Sequence, residues 1–142
     1  MLKTPDPEAE VNLLANVPPN LVQSIRAFRV ADLQAEAVRL SQHFLYAYCA
    51  NATTKQQVLT TIAQSFNFPK YFGKNFDALS DCLTDLTHKA GSQPGFIVVL
   101  EQLPETVKFD KEAREKLLDV FRDAADFWAD KKTSFRVFYS FS

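Results

Sequence analysis

Five apolar residues in unbroken succession, Phe96-Ile97-Val98-Val99-Leu100, constrain this chain more than any other segment. A strand with one face in water alternates apolar and polar side chains, so a run without alternation needs cover on both faces, as in the middle of a parallel sheet. Two other segments suit the same sheet. Phe44–Cys49 is short and aromatic, with Tyr46 and Tyr48 alternating against Leu45 and Ala47. Ser134–Phe141 alternates Phe135, Val137, Tyr139 and Phe141 against Arg136, Phe138 and Ser140.

Helical patterns fill the intervals. Thr54 and Gln57 have the form of a capping box ahead of Val58, Leu59, Ile62 and Phe66, predicting a helix over 55–66 that Pro69 ends. Asn75 suits the cap of a second helix, whose apolar stripe is Phe76, Leu79, Cys82, Leu83 and Leu86 and which Gly91 and the Gln93-Pro94-Gly95 turn stop. Ala113, Leu117, Val120, Phe121, Ala124 and Phe127 predict a long helix over about 110–130 with Trp128 at its margin. Strand, helices, strand, helix, strand is the order of a parallel sheet joined by right-handed crossovers. The expected fold is therefore α/β, a single domain with a small three-stranded parallel sheet and about four helices.

The N-terminal part reads differently. Residues 1–19 hold four of the seven prolines, which predicts an irregular, dispensable arm. Asn20 is a candidate cap for a short helix carrying Leu21, Ile25 and Phe28, and Asp32 for another carrying Leu33, Ala37 and Leu40. The expected division is an N-terminal extension over 1–40 and the α/β domain over 41–142.

Composition narrows the function. At 142 residues, with 46% hydrophobic and 13% aromatic content, the chain suffices for one core and not for two full domains. No apolar stretch approaches the roughly 20 residues of a membrane span, and MLKTPDPEAEV lacks a signal-peptide pattern, so a cytoplasmic protein is expected. A net charge of -1 argues against a generally basic nucleic-acid binder. Cys49 and Cys82 lie far apart, outside any CxxC or Cys/His pattern, and are expected as reduced thiols packed like small hydrophobes. His43 and His88 announce no catalytic or metal site, and three glycines make no phosphate loop. The reading is of a protein that is not an enzyme and takes no cofactor or metal.

The useful charge is local. Asp77, Asp81 and Asp85 stand four residues apart on the second helix, and that spacing drifts only about 40° per step, so all three are expected on one face. The helix does not need this pattern for its own stability. Aspartate is a poor helix former, and like charges at i and i+4 repel by roughly 0.2 to 0.5 kcal/mol per pair. Asp77 alone, near the N-terminus, favours the helix dipole. A partner outside the helix is the expected beneficiary.

Pro69-Lys70-Tyr71-Phe72-Gly73-Lys74-Asn75-Phe76-Asp77-Ala78-Leu79-Ser80-Asp81-Cys82-Leu83 resembles the signature of the barstar family. In that signature proline, two aromatics, glycine, a variable residue and asparagine precede a helix carrying DAL and DCL. The resemblance implies an intracellular inhibitor, of immunity or antitoxin type, that blocks a small basic, barnase-like ribonuclease. Carried over by position, the family's contact surface falls on Tyr71, Gly73, Asn75, Asp77, Asp81 and Thr84, with Asp123 on the later helix as a supporting acid. Phe72 is expected inside and Tyr71 partly out. Ser80 stands where the family often has Trp, and Leu86 where the namesake has another aromatic, while Asp85 is an added carboxylate beside them. Those departures imply a different partner or weaker inhibition, because aromatic anchors often dominate binding energy.

The chemistry of the acids agrees with that implication. A ribonuclease presents Arg and Lys to hold phosphates, and carboxylates on a rigid helix offer acceptors to the same groups. An alternative is a noncatalytic module of the same fold that binds another basic protein. A third reading, Mg²⁺ held by Asp77, Asp81 and Asp85, fails on geometry, since eight residues of helical rise separate the outer acids by about 12 Å.

Overall fold

The unbroken apolar run lies inside a parallel sheet, as its composition requires. The computed structural model describes residues 13–69, 74–87, 91 and 93–142. Among these residues the chain forms strands β1 (Asn20–Ser24), β2 (His43–Tyr48), β3 (Gly95–Leu103) and β4 (Ser134–Phe141). The helices are α1 (Val30–Arg39), α2 (Lys55–Ser65), α3 (Phe76–Leu83) and α4 (Lys111–Asp130). All strands run parallel in the order β1-β4-β3-β2. The three strands expected from the sequence are there, and β1 is a fourth.

Strand order dictates which helix covers which face. From β1 the chain crosses the whole sheet to β2, then returns through β3 to β4 one strand at a time in the opposite direction. Right-handed crossovers taken in opposite directions place their helices on opposite faces. Accordingly α1 stands on one face, with Leu33 and Ala37 against Ile97, Val99 and Phe138. The helices α2, α3 and α4 cover the other, over Leu45, Ala47, Phe96, Val98, Leu100, Phe135 and Val137. This division is why residues 96–100 are apolar throughout: every one of them meets a core.

Residues 20–24 correct the expectation of a helix capped by Asn20. Leu21 and Ile25 fit a helical spacing, but the outer edge of β4 has backbone groups to satisfy, and pairing Asn20 through Ser24 with Phe135 through Tyr139 satisfies them. Asn20 caps nothing; its side-chain amide donates to the carbonyls of Ala125 (3.0 Å) and Thr133 (2.9 Å). The second expected helix exists but starts earlier, at Val30, with Arg29 in the cap position and Asp32 inside the first turn. Ile25 and Phe28 pack into the α1-side core from the intervening loop, Phe28 edge-on to Phe138 at 5.3 Å. Leu14 is buried there too, so the segment from residue 13 onward closes the second face of the sheet.

One charged residue among those described is buried, Glu36 of α1, at 4% exposure. Arg39 pairs with both its oxygens, and the backbone N–H of Leu13 donates to it at 3.1 Å. Arg136 of β4 donates in turn to the carbonyl of Pro18 at 3.1 Å. These contacts lash residues 13–18 across the α1 face.

The remaining helix starts follow local chemistry. Thr54 accepts from the Gln57 N–H at 3.1 Å, while Gln57 Oε1 accepts from the N–H of Thr53 at 2.8 Å, closing the capping box one residue early. Asp110 caps α4 by accepting from Ala113 N–H at 3.0 Å.

Candidate functional site

Eight residues make a marginal helix in isolation, so α3 owes its order to what holds it. Asn75 Oδ1 accepts from the Ala78 N–H at 2.7 Å and fixes the start. Leu79 and Leu83 are fully buried against α4 and the sheet, and Leu86 follows in the next turn. Half-buried Phe76 packs against the same core, with the Lys55 ammonium 5.4 Å from its ring centroid. At the far end the Trp128 indole N–H donates to the carbonyl of Leu83 at 2.9 Å. Trp128, expected at the margin of α4, is instead 4% exposed and wedged against Phe96 at 5.1 Å. An indole has a polar edge to satisfy, and the end of α3 satisfies it.

The exposed side of this anchored helix carries Asp77 and Asp81. Asp85 is exposed as well but does not share the helix, which ends at Leu83. The Thr84 hydroxyl donates to the carbonyls of Ser80 (3.0 Å) and Asp81 (3.2 Å), and the Asp85 N–H turns back to Cys82. Ser and Thr hydroxyls compete in this way for backbone carbonyls at helix ends. The single face expected for all three acids therefore becomes a helix bearing two and a turn bearing the third. Ser80 and Thr84 are half-buried, Asn75 is exposed beside its cap, and Asp123 is exposed on α4, the helix against which α3 packs. Tyr71, Phe72, Gly73 and His88 lie outside the described residues.

Among the described residues no cation pairs with Asp77, Asp81, Asp85 or Asp123. The contrast is on α4 itself: Arg122 meets Asp119 at 2.7 Å and Glu115 at 3.9 Å, and Lys116 meets Glu112 at 3.5 Å. Part of the charge on α4 is thus internally matched, while that of α3 is exposed. No group of His, Cys, Asp or Glu among the described residues is arranged to hold a metal ion.

Cys82 departs from the expected core position and is only partly buried. Burial raises its thiol pKa, and the neighbouring carboxylates of Asp81 and Asp85 raise it further. Cys49 is fully buried and its thiol is pushed up to about 12 by burial alone. Both sulfurs are held as thiols, the unreactive form. Leu86, noted in the sequence for replacing an aromatic, is buried and offers no surface anchor.

Two features at this end of the molecule were not anticipated. Trp128 as the anchor of α3 is one; the signal in the sequence was only that a lone indole needs an acceptor. The other is a shallow depression of about 290 Å³ beside the start of α3, lined by Asn51, Gln56, Thr60 and Lys74 among others. Lys74 adopts a positive φ of 52° where the chain turns into the Asn75 cap.

A doubly covered parallel sheet with a short acid-bearing helix packed on its surface defines a single α/β domain. The family model described as Barstar (barnase inhibitor) matches residues 42–140, and the chain belongs to that family. Comparison with curated proteins gives no match. The matched range begins at the threshold of β2 and leaves out β1 and α1, which nonetheless complete the sheet and its second core.

Proposed function

We propose that the protein inhibits a ribonuclease by laying α3 and its flanking residues over the enzyme's basic active site. The observation that carries this reading is the outward pair Asp77 and Asp81, without a cation among the described residues, on a helix fixed at both ends in a member of the Barstar family. A carboxylate that the fold leaves without a partner accepts charge-assisted hydrogen bonds from Arg and Lys at full strength. In this reading Asp81 and Asp77 are the central acceptors, Asp85 and Asp123 extend the negative field, and Asn75 and Thr84 set the two ends of the helix. Ser80 lies between the acids, and Tyr71 and Gly73 complete the contact set that the family resemblance implies. Nothing reacts: the inhibitor occupies the place of the RNA backbone. An immunity or antitoxin role in the cytoplasm accompanies it.

Rigid mounting lowers the ordering cost of association, and a concentrated negative face speeds encounter even at small net charge. The namesake pair of this family is itself a principal example of such steering, so only the direction is carried over, without a magnitude.

One observation favours a second reading, in which the partner is another basic protein. The positions of two aromatics in the family hold a half-buried Ser80 and a buried Leu86, so the surface here lacks those apolar anchors. An RNA-cleavage assay with a panel of small basic ribonucleases decides between them. Wild-type protein in excess is expected to stop at least one enzyme, and the Asp77→Ala/Asp81→Ala variant to stop none. Undiminished inhibition by the variant would remove the acidic helix from the mechanism. Failure of wild type on every enzyme would favour the second reading, with affinity capture of a basic partner next.

A further inference from the structure

We infer that Trp128 is a positioning residue for the inhibitory surface: its indole N–H, bonded to the Leu83 carbonyl, sets where α3 ends and locks that helix to α4. Four observations converge. The bond has full hydrogen-bond length at 2.9 Å and is buried, linking residues 45 apart in sequence. The ring that supplies it is immobilised, tilted against Phe96 at 5.1 Å and edge-on to Phe127 at 5.2 Å, so the donor has little freedom to follow a moving helix. Its acceptor is the last residue of an eight-residue helix, where carbonyls have no regular partner in the intrahelical ladder. Finally, Trp128 lies on the same helix as Asp123, so the bond ties the element bearing Asp77 and Asp81 to the element bearing Asp123. Leu79 and Leu83 press α3 onto the core without direction, as hydrophobic contacts do. The N–H···O bond adds a directional contact.

The consequence for inhibition rests on the ribonuclease-inhibitor reading above; the consequence for α3 does not. The chain has one tryptophan, so replacing that residue type changes this site alone. Two replacements separate the donor from the ring. In 3-benzothienylalanine a sulfur takes the place of the N–H at nearly the same shape, whereas 7-azatryptophan keeps the N–H. Trp128→Phe serves as a second donor-free variant should the analogue express poorly.

Amide hydrogen exchange under native conditions is the first readout. Loss of the donor is expected to speed exchange at residues 79–83 by roughly 3- to 10-fold beyond any change in α4 and β3, with 7-azatryptophan at the wild-type rate. Equal acceleration everywhere, or none, would overturn the inference by reducing Trp128 to ordinary core packing. The second readout is dissociation from a ribonuclease that wild type inhibits, measured where all variants are fully folded. Donor-free variants are expected to dissociate roughly 3- to 10-fold faster at an unchanged association rate, since no surface charge differs. A wild-type dissociation rate in those variants would overturn the positioning role. If wild type inhibits no ribonuclease, the ribonuclease-inhibitor reading falls and the exchange comparison decides the inference on its own.

Discussion

Glu36 shows how much one side chain contributes away from the site. Its carboxyl is held below the ordinary value of 4.5 by the hydrogen bonds from Arg39, against the opposing effect of burial, with the Arg39 charge and the Leu13 and Leu14 amides adding to the lowering. Arg136 of β4 is the other charge that faces it. A carboxyl with a depressed folded pKa stabilises the protein above its unfolded pKa, and that stability is lost as pH falls through the folded value. Wild type should therefore lose stability to urea as pH drops below 4.5. Glu36→Gln should lower stability by about 1–3 kcal/mol at neutral pH and flatten the acid limb. Parallel pH curves for the two proteins would show that Glu36 is not the titrating group. At this scale two local roles were legible, Thr54 and Asn75 as caps of the helices they precede, whereas Asn20 and Asp32, read as caps by the same residue type, cap nothing. The burial of Glu36 and the role of Trp128 were not, because Leu13 and Leu83, which they meet, are distant in the chain. Asp85 was misplaced by assuming that α3 runs on past Leu83.

Elements were legible in proportion to how far their pattern exceeds the alternatives. Helix α4 matched its periodicity over 20 residues, and β3 its apolar run, because no other element accommodates those patterns. Strand β1 was not readable: five residues with a helical spacing of apolar groups fit either form, and only the open edge of β4 decides. Helix α3 lies between these cases. Its cap and stripe gave its start and buried side, while its end depends on Thr84 and Trp128. Asn75→Ala is expected to remove about 1 kcal/mol, since the Ala78 N–H loses its acceptor at the start of so short a helix. Thermal unfolding followed by circular dichroism checks this; a melting temperature unchanged from wild type would show that packing alone fixes the start of α3.

For the molecule as a whole, the order β1-β4-β3-β2 carries a consequence for how such a chain comes into being. β4, which follows the other three described strands in sequence, is an interior strand, flanked by β3 on one side and by β1 on the other. While synthesis proceeds, the first strand waits without a neighbour, and the α1-side core lacks Phe138 until residues 134–141 are inserted between elements formed long before. Pairings of such long sequence separation are slow to form, and they cannot begin early. A chain stopped after Lys132 is therefore expected to be protease-sensitive throughout residues 20–40 as well as at its cut end, which limited proteolysis with mass mapping would reveal; a resistant core over 20–40 would contradict it. Loss of residues 134–141 is thus expected to abolish such a fold instead of weakening it, because the missing strand is the one that joins the two halves of the sheet.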